Sequence, residues 1–316
     1  MSTALFFHES FLRHDAGAFH PENPERLTAI LNGLKEAGLW EGLKHANPEP
    51  AKDEEILLCH PRQHLEFIRE SSRLGSFQID PDTHVSTHSF EAALHAAGAA
   101  VQAVDGILDG KFKNAFAAVR PPGHHATVDR AMGFCLFNNI AIAARHAVKN
   151  RGLQRVLIMD WDVHHGNGTQ DIFYNDASVV YISLHKKHHY PGTGWEEETG
   201  EGKAQGTKIN IPLAGVPGPK IYEEHFRQAL ARAQDFEPEF ILISCGFDAH
   251  ESDPLGNLGL KNETYGRLTE SLIDFAAKFG HERVFSILEG GYDYKALAAS
   301  GAAHVERLMN YRPSND

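Results

Sequence analysis

Apolar residues along the chain fall into two spacings. The first is a set of short unbroken runs, rich in β-branched residues, at 115–119, 156–159, 179–183, 208–211, 240–244 and 284–288. Runs that stay apolar rather than alternate predict strands covered on both faces, as in a parallel sheet. The second spacing is helical. Residues 25–37 place Leu27, Ile30, Leu31 and Leu34 three and four apart, residues 90–108 are Ala-rich and end at Gly110, and comparable stretches occupy 137–148, 220–233, 262–278 and 293–309. Strands that alternate with helices predict an α/β fold with a mainly parallel sheet flanked by helices. In such folds ligands gather at the carboxyl ends of the strands, so those ends are where chemistry is to be sought.

Composition narrows the classes. With 316 residues, 42% hydrophobic and 23% charged, and without a repeat or a Pro/Ser-rich linker, the chain reads as one globular domain over 1–316. The net charge of −12, from 30 Lys+Arg against 42 Asp+Glu, argues against nucleic acid, since no basic surplus exists to displace phosphate counterions. Such a surface suits cationic small molecules or Lys-rich peptides. Three cysteines, Cys59, Cys135 and Cys245, are too few and too scattered for a disulfide framework or a Cys-rich zinc site. The first residues lack a basic segment followed by an apolar run, and nowhere do about 18 apolar residues follow one another, so no membrane and a cytoplasmic location are expected. The unusual number is 21 histidines, and their positions carry the information.

Four of the strand-like runs lead directly into chemistry-bearing loops. Residues 115–119 run into Arg120-Pro121-Pro122-Gly123-His124-His125, and 156–159 into the eleven residues DWDVHHGNGTQ from Asp160 to Gln170. Residues 240–244 run into Cys245-Gly246-Phe247-Asp248-Ala249-His250, and 284–288 into Glu289-Gly290-Gly291-Tyr292. Asp162 and His164, two apart on an extended segment, point to one side and can reach one ion. Asp248 is the natural third ligand. Two carboxylates and an imidazole suit a divalent ion of the Zn²⁺ kind, and three protein ligands leave a position for water. A lone Asp-x-His is more often an ion pair or helix cap; four such strand ends together outweigh that bland reading. Further carboxylates that a second metal would need are missing, since positions 166 and 250 hold Gly166 and His250. The centre therefore reads as mononuclear. His124 and His125 read as acid/base groups, with Asp160 and Asn167 as hydrogen-bond partners of the histidines, and Tyr292 as a hydroxyl donor to an oxyanion.

These residues carry a family likeness. Pro121-Pro122-Gly123-His124-His125, Gly133-Phe134-Cys135, the run Asp160 to Gln170, Gly246-Phe247-Asp248, Glu289-Gly290-Gly291-Tyr292 and the early stretch from His20 to Leu27 resemble the histone deacetylase family, in particular its class II branch and bacterial relatives that include acetylpolyamine amidohydrolases. The likeness covers roughly residues 5 to 310. It implies an arginase/deacetylase fold around a central eight-stranded sheet and hydrolysis of the acetyl amide of an N-acetylated amine. It also implies Asp162, His164 and Asp248 as ligands of Zn²⁺ (with Fe²⁺ as the alternative), His124 and His125 as the catalytic pair, and Tyr292 as the transition-state donor. Gly133, Phe134, Tyr190, Leu255 and Gly290 would line the acyl-lysine tunnel. A structural K⁺ would lie against Asp160, Asp162, His164, Ser183 and Leu184, and a second K⁺ near Phe173, Asp176 and Val179. The carboxylate that grips the substrate backbone in some relatives matches either Asp80 or Asp82.

The expected substrate is acetyl-lysine in a protein or peptide, with an acetylated polyamine as the alternative and a non-catalytic acetyl-lysine binding module or a binuclear ureohydrolase as more distant ones. A polyamine enzyme needs an acidic mouth. Glu196-Glu197-Glu198 could supply it, although an exposed charge run is more often a solvated loop. A homo-oligomer is compatible with the chain.

Overall fold

The computed structural model describes residues 2–313; Met1 and residues 314–316, the two ends of the expected domain, lie outside the described residues. In chain order the elements are β1 (Thr3–Phe6), α1 (Ser10–Arg13), α2 (Glu25–Glu36), β2 (Lys44–Ala46), α3 (Asp53–Ile56), α4 (Arg62–Arg73), β3 (Phe77–Gln78), β4 (His84–Val85), α5 (Ser89–Leu108), β5 (Asn114–Ala117) and α6 (Asn139–Lys149). They continue with β6 (Val156–Asp160), α7 (Asn167–Phe173), β7 (Val179–Lys186), β8 (Lys208–Leu213), α8 (Gly218–Arg232), β9 (Phe240–Cys245), α9 (Asn262–Ala277), β10 (Val284–Leu288) and α10 (Tyr294–Asn310).

Eight strands form one sheet in the order β2-β1-β5-β10-β9-β6-β7-β8, every neighbouring pair parallel. The unbroken apolar runs are its centre: each residue of β6, β9 and β10 is buried, as a strand covered on both faces requires. Helices α5 and α6 pack together on one face, and α2, α10, α9 and α8 succeed one another on the other. Alanines at 92, 93, 96, 97, 99, 100 and 103 make α5 thin enough to lie close against the sheet, and all are buried.

Eight elements, β1 to β4, α1, α3, α4 and α7, lie outside the expected runs, and three of them show why. Strand β1 has only four residues, too few to stand out, and pairs with β5 through the register Thr3↔Asn114 to Phe6↔Ala117. Helix α4 turns just Leu65 and Ile68 inward as aliphatics, the rest of its buried side being His64, Ser71 and Ser72. Helix α7 starts at Asn167, inside what reads as a strand-end loop. The expected helices start close to their predicted positions, two of them for a local reason: Asn138 accepts from the Ala141 amide at 3.0 Å ahead of α6, and Asp293 from the Ala296 amide at 2.8 Å ahead of α10.

Candidate metal centre and active site

Strand order brings the site together. β5, β10, β9 and β6 are consecutive in the sheet, so the four loops with histidine, aspartate or tyrosine leave the same edge side by side. Asp162, His164 and Asp248 offer donor atoms that all lie within 4.8 Å of one another. His164 Nδ1 stands 3.0 Å from Asp162 Oδ1 and 3.2 Å from Asp248 Oδ2. The other oxygen of each carboxylate is tied to backbone: Gly290 N donates to Asp162 Oδ2 at 2.8 Å, and Val163 N to Asp248 Oδ1 at 2.8 Å. Asp248 Oδ2 is buried and outside any hydrogen bond, and Asp162 is buried too. Burial and the neighbouring Asp162 charge lift the Asp248 pKa to about 7. Two buried acids around one imidazole nitrogen are costly without a cation, and one nitrogen with two carboxylate oxygens is a donor set for a divalent ion. The residues fit the metal that the fold implies.

Gly290 shows how closely the loop must approach. A Cβ there would stand 2.1 Å from Asp248 Oδ2 and 2.6 Å from Asp162 Oδ2, so any other residue displaces two of the candidate donors. Gly133, at φ 55°, has the same role on the far wall, where a Cβ would fall 2.5 Å from His125 Cδ2. The next residue, Phe134, is held at φ 68°, a strained conformation for an aromatic, with its ring edge-on to His20 and Tyr292.

The histidine pair is buried and the two rings are set apart electrically. His124 Nδ1 lies 3.0 Å from Asp160 Oδ2, which also accepts from the Tyr181 hydroxyl at 2.9 Å. Burial alone would lower the His124 pKa, but Asp160 and Asp162 outweigh it and raise it to about 10. His125 Nδ1 pairs with Asn167 Oδ1 at 2.8 Å, a neutral partner. Burial, with the cationic His124 nearby, holds its pKa well below 6.5. Since Asn167 Oδ1 can only accept, Nδ1 carries the His125 proton and Nε2 is left as the basic nitrogen.

These groups meet in a cavity of about 230 Å³ lined by His124, His125, Gly133, Phe134, His164, Tyr190, Leu255, Gly290 and Tyr292, each expected, and by Asp82, Pro122 and His189. Asp82 and Asp80 are thereby told apart. Asp82 faces the cavity, whereas Asp80 Oδ1 accepts from the amides of Asp82 and Thr83 and holds the turn. The Glu196–Glu198 run does not contribute to the cavity lining. Glu198 points inward, accepting from Gln170 Nε2 at 2.6 Å and Gly194 N at 3.1 Å, and none of the three lines the cavity.

Behind the candidate donors, Ser183 is the ladder partner of Asp160, and the Leu184 carbonyl takes the Tyr222 hydroxyl at 3.4 Å. The expected second K⁺ place is different. Near Phe173, Asp176 and Val179 stands an ammonium: Lys208 Nζ donates to Val179 O at 2.9 Å and Asp176 O at 3.3 Å.

Sequence reasoning left several residues without a role. Glu289 sits in a motif it singled out, and its Oε2 accepts from the amides of Gly123 and His124 at 2.7 and 3.1 Å, joining the β10 loop to the histidine loop. Burial lifts its pKa to about 7. Arg26 donates to Gly291 O at 2.7 Å and Glu289 O at 2.5 Å, with its guanidinium 4.8 Å from the centre of the Tyr292 ring. Its partner Glu22 also accepts from Arg120 Nη2 at 2.9 Å, at the start of the histidine loop 98 residues further along the chain, so no local spacing reveals it. His189 stacks on His164 at 4.9 Å and bonds Leu255 O at 2.8 Å. A buried acid after an apolar strand was the one signal available for Glu289; Arg26 and His189 had none beyond their neighbours in the motifs.

An all-parallel α/β sheet with an Asp/His/Asp donor trio, tandem histidines and a tyrosine at its carboxyl edge defines a class, the metal-dependent amidohydrolases of deacetylase type. The particular family follows from comparison. The histone deacetylase domain matches residues 20–308. A probable deacetylase of Archaeoglobus fulgidus is 40% identical over 99% of this chain and 91% of its own length. The polyamine deacetylase HDAC10 of Homo sapiens is 37% identical over 98% of this chain and 48% of that protein. The crystal structure of the HDA15 HD domain superposes with a TM-score of 0.94 at 40% identity, covering 99% of this chain and 91% of that one. The chain belongs to the histone deacetylase family, and its sheet is the arginase/deacetylase fold.

Proposed function

We propose that this chain is a deacetylase of acetyl-lysine in proteins or peptides, working as one catalytic domain through one divalent ion, two histidines and a tyrosine. The observation that carries this reading is the convergence of the Asp162–His164–Asp248 donors, His125 and Tyr292 on one 230 Å³ cavity with apolar walls. A Zn²⁺ or Fe²⁺ ion held by those three residues would polarise the acetyl carbonyl and acidify water at the site. His125 Nε2 takes a proton from the attacking water as its oxygen bonds to the carbonyl carbon. Tyr292, whose burial holds its hydroxyl pKa well above 10 and so keeps it protonated, donates to the oxyanion. His125 returns the proton to the amine nitrogen as the C–N bond breaks, giving acetate and free amine. His124, held cationic by Asp160, stabilises the negative charge that develops. Asp160, Asp162, His164, Ser183 and Leu184 are proposed to hold one K⁺, supported by the Asp162 and His164 backbone carbonyls, which accept no hydrogen bond among the described residues. The Asp160–Asn167 pair sets the two histidines to different tasks.

The walls favour a lysine side chain over a polyamine. Phe134, Tyr190, Pro122 and Leu255 offer an apolar sleeve to four methylenes, and among the described residues Asp82 is the one carboxylate that lines the cavity. Asp82 also supports the second reading, since it could hold the ammonium of an acetylated polyamine. No helix of the described residues is long and apolar enough to cross a membrane.

The test is kcat/KM of the zinc-loaded protein on an acetyl-lysine peptide and an acetylated polyamine side by side, with Tyr292→Phe as control. A peptide preference of about tenfold or more, ~1.4 kcal/mol in transition-state binding, supports the reading. The reverse preference, abolished by Asp82→Asn, replaces it with the polyamine reading. Tyr292→Phe is expected to keep its metal and lose about 10²–10³ in kcat; full turnover in that variant removes the oxyanion role.

A further inference from the structure

Lys208 is the largest departure from the site arrangement that the family implies. Its side chain is fully buried at the start of β8, among groups that are almost all backbone oxygens. Nζ lies 2.9 Å from Val179 O, 3.3 Å from Asp176 O and 2.7 Å from Thr207 Oγ1. The Thr207 hydroxyl spends its own hydrogen on Ala204 O at 2.6 Å, so towards Lys208 it can only accept. All three partners are therefore acceptors. Three acceptors around one nitrogen call for three hydrogens, which is the ammonium form, since a neutral amine has two to give.

The charges around it leave no place for another cation. Arg145 pairs with the Asp176 carboxylate, and its guanidinium lies 4.6 Å from the centre of the Phe173 ring. Asp176 Oδ1 is further occupied by the amide and hydroxyl of Ser178 at 2.8 and 2.6 Å. The Phe173 carbonyl takes the Asp176 amide at 3.0 Å. Two fixed cations thus share one carboxylate, and an incoming K⁺ would meet a net positive cage with its carbonyls taken. The donors near Phe173, Asp176 and Val179 do not fit a second potassium ion.

We propose that the Lys208 ammonium is this chain's own built-in monovalent cation, standing on the Asp176 and Val179 carbonyls in place of a bound ion and bracing the turn between α7 and β7. An ammonium and a potassium ion are close in size and both satisfy carbonyl oxygens, so the exchange is chemically conservative. It replaces an exchangeable ligand by one fixed to the backbone, and stability at this end of the sheet becomes independent of the salt outside. Burial pulls the Lys208 pKa down to about 7 against the opposing Asp176 charge; the three oxygens are what retain the charged form. The brace lies close to the chemistry in the ladder. Lys208 is the register partner of Tyr181, and Tyr181 holds Asp160, the partner of His124.

The direct test counts ions. Wild-type protein, freed of K⁺ and Na⁺ in choline chloride and then dialysed against rubidium chloride, is expected to take up no more than one Rb⁺ per chain. Two Rb⁺ per chain would overturn the proposal, whatever any variant does. The second test is Lys208→Ser, which keeps the carbonyls and opens the space. Its Tm in choline chloride is expected to fall by roughly 5–10 °C, for loss of a buried charged hydrogen-bond donor. Most of that loss should return in potassium chloride, with one extra Rb⁺ bound, while Lys208→Met, which fills the space without a charge, should show no return. A deficit of equal size in both salts for Lys208→Ser would sink the idea that Lys208 acts as the cation.

Discussion

Two buried histidine clusters in this molecule show what burial alone does and what it does not. His304, on α10, is enclosed by the rings of Phe116, Trp161 and Phe247 and by two hydroxyls, with Nδ1 2.6 Å from Thr269 Oγ1 and Nε2 2.7 Å from Ser286 Oγ. The Thr269 hydroxyl donates to Tyr265 O, so it accepts from Nδ1–H, and Ser286 donates to Nε2; the neutral ring is fully satisfied. Burial pushes its pKa down to about 3. His124, on the loop after β5, is as deeply buried, yet its pKa rises to about 10 because Asp160 and Asp162 face it. The same residue type at the same depth is therefore a neutral packing element in one place and a fixed cation in the other. Partner charge decides which, and carboxylates that are themselves expensive to bury mark the place where charge has a task.

The contrast can be broken at several points, and the largest effect is expected at the metal. Asp248→Ala should bring metal content below a tenth of an ion per chain and cost several kcal/mol of transition-state stabilisation, about 10³-fold or more in kcat/KM; metal analysis showing a full ion would mean the ligand is misassigned. Asp160→Asn removes the charge that separates His124 from His304. A loss of about 10–100-fold in kcat with metal retained is expected, and unchanged kcat would show that the His124 charge is idle. His304→Leu tests the other cluster. The folded pKa of about 3 lies below the ordinary 6.5, so the unfolded chain binds the proton first. Stability from this group is complete above pH 6.5 and is lost as pH falls towards 3, by up to about 1.4 kcal/mol per pH unit. Denaturation midpoints of His304→Leu between pH 6.5 and 4 should fall less steeply than wild type by that amount, with kcat near normal at neutral pH. The smallest change is Asn167→Asp, which gives His125 the kind of partner His124 has. The acidic limb of its kcat/KM profile should move up by about one pH unit, and an unmoved limb would take His125 out of the base role.

Legibility in the sequence followed from how local each cause is. The runs that became β6, β9 and β10 could be read because a strand covered on both faces has no polar positions to interrupt it. β1 was too short to register, and α4 hides its inward face behind His64, Ser71 and Ser72. At the site, Asp162 and His164 are two residues apart and needed no fold to be placed together. Asp82 was held level with Asp80 because a turn residue and a rim residue look alike two positions apart. The acidic run at 196–198 read as a candidate mouth, whereas Glu198 serves Gln170 and the Gly194 amide. Lys208 read as the first residue of a strand, with nothing to say that its ammonium would enter a cage of carbonyls.

The chain by itself determined which residues stand at the candidate site, since strand ends, glycines and paired histidines are written in nearest-neighbour order. It determined the alternation of strand and helix for the same reason. The order in which those strands lie was decided only by the tertiary structure, through pairing of residues 170, 43 and 84 positions apart, and that order places the β5, β10, β9 and β6 loops on one edge. The state of each charged group was decided there too. A pKa depends on what stands within a few ångströms and how much water has been excluded, and neither quantity has a sequence spacing.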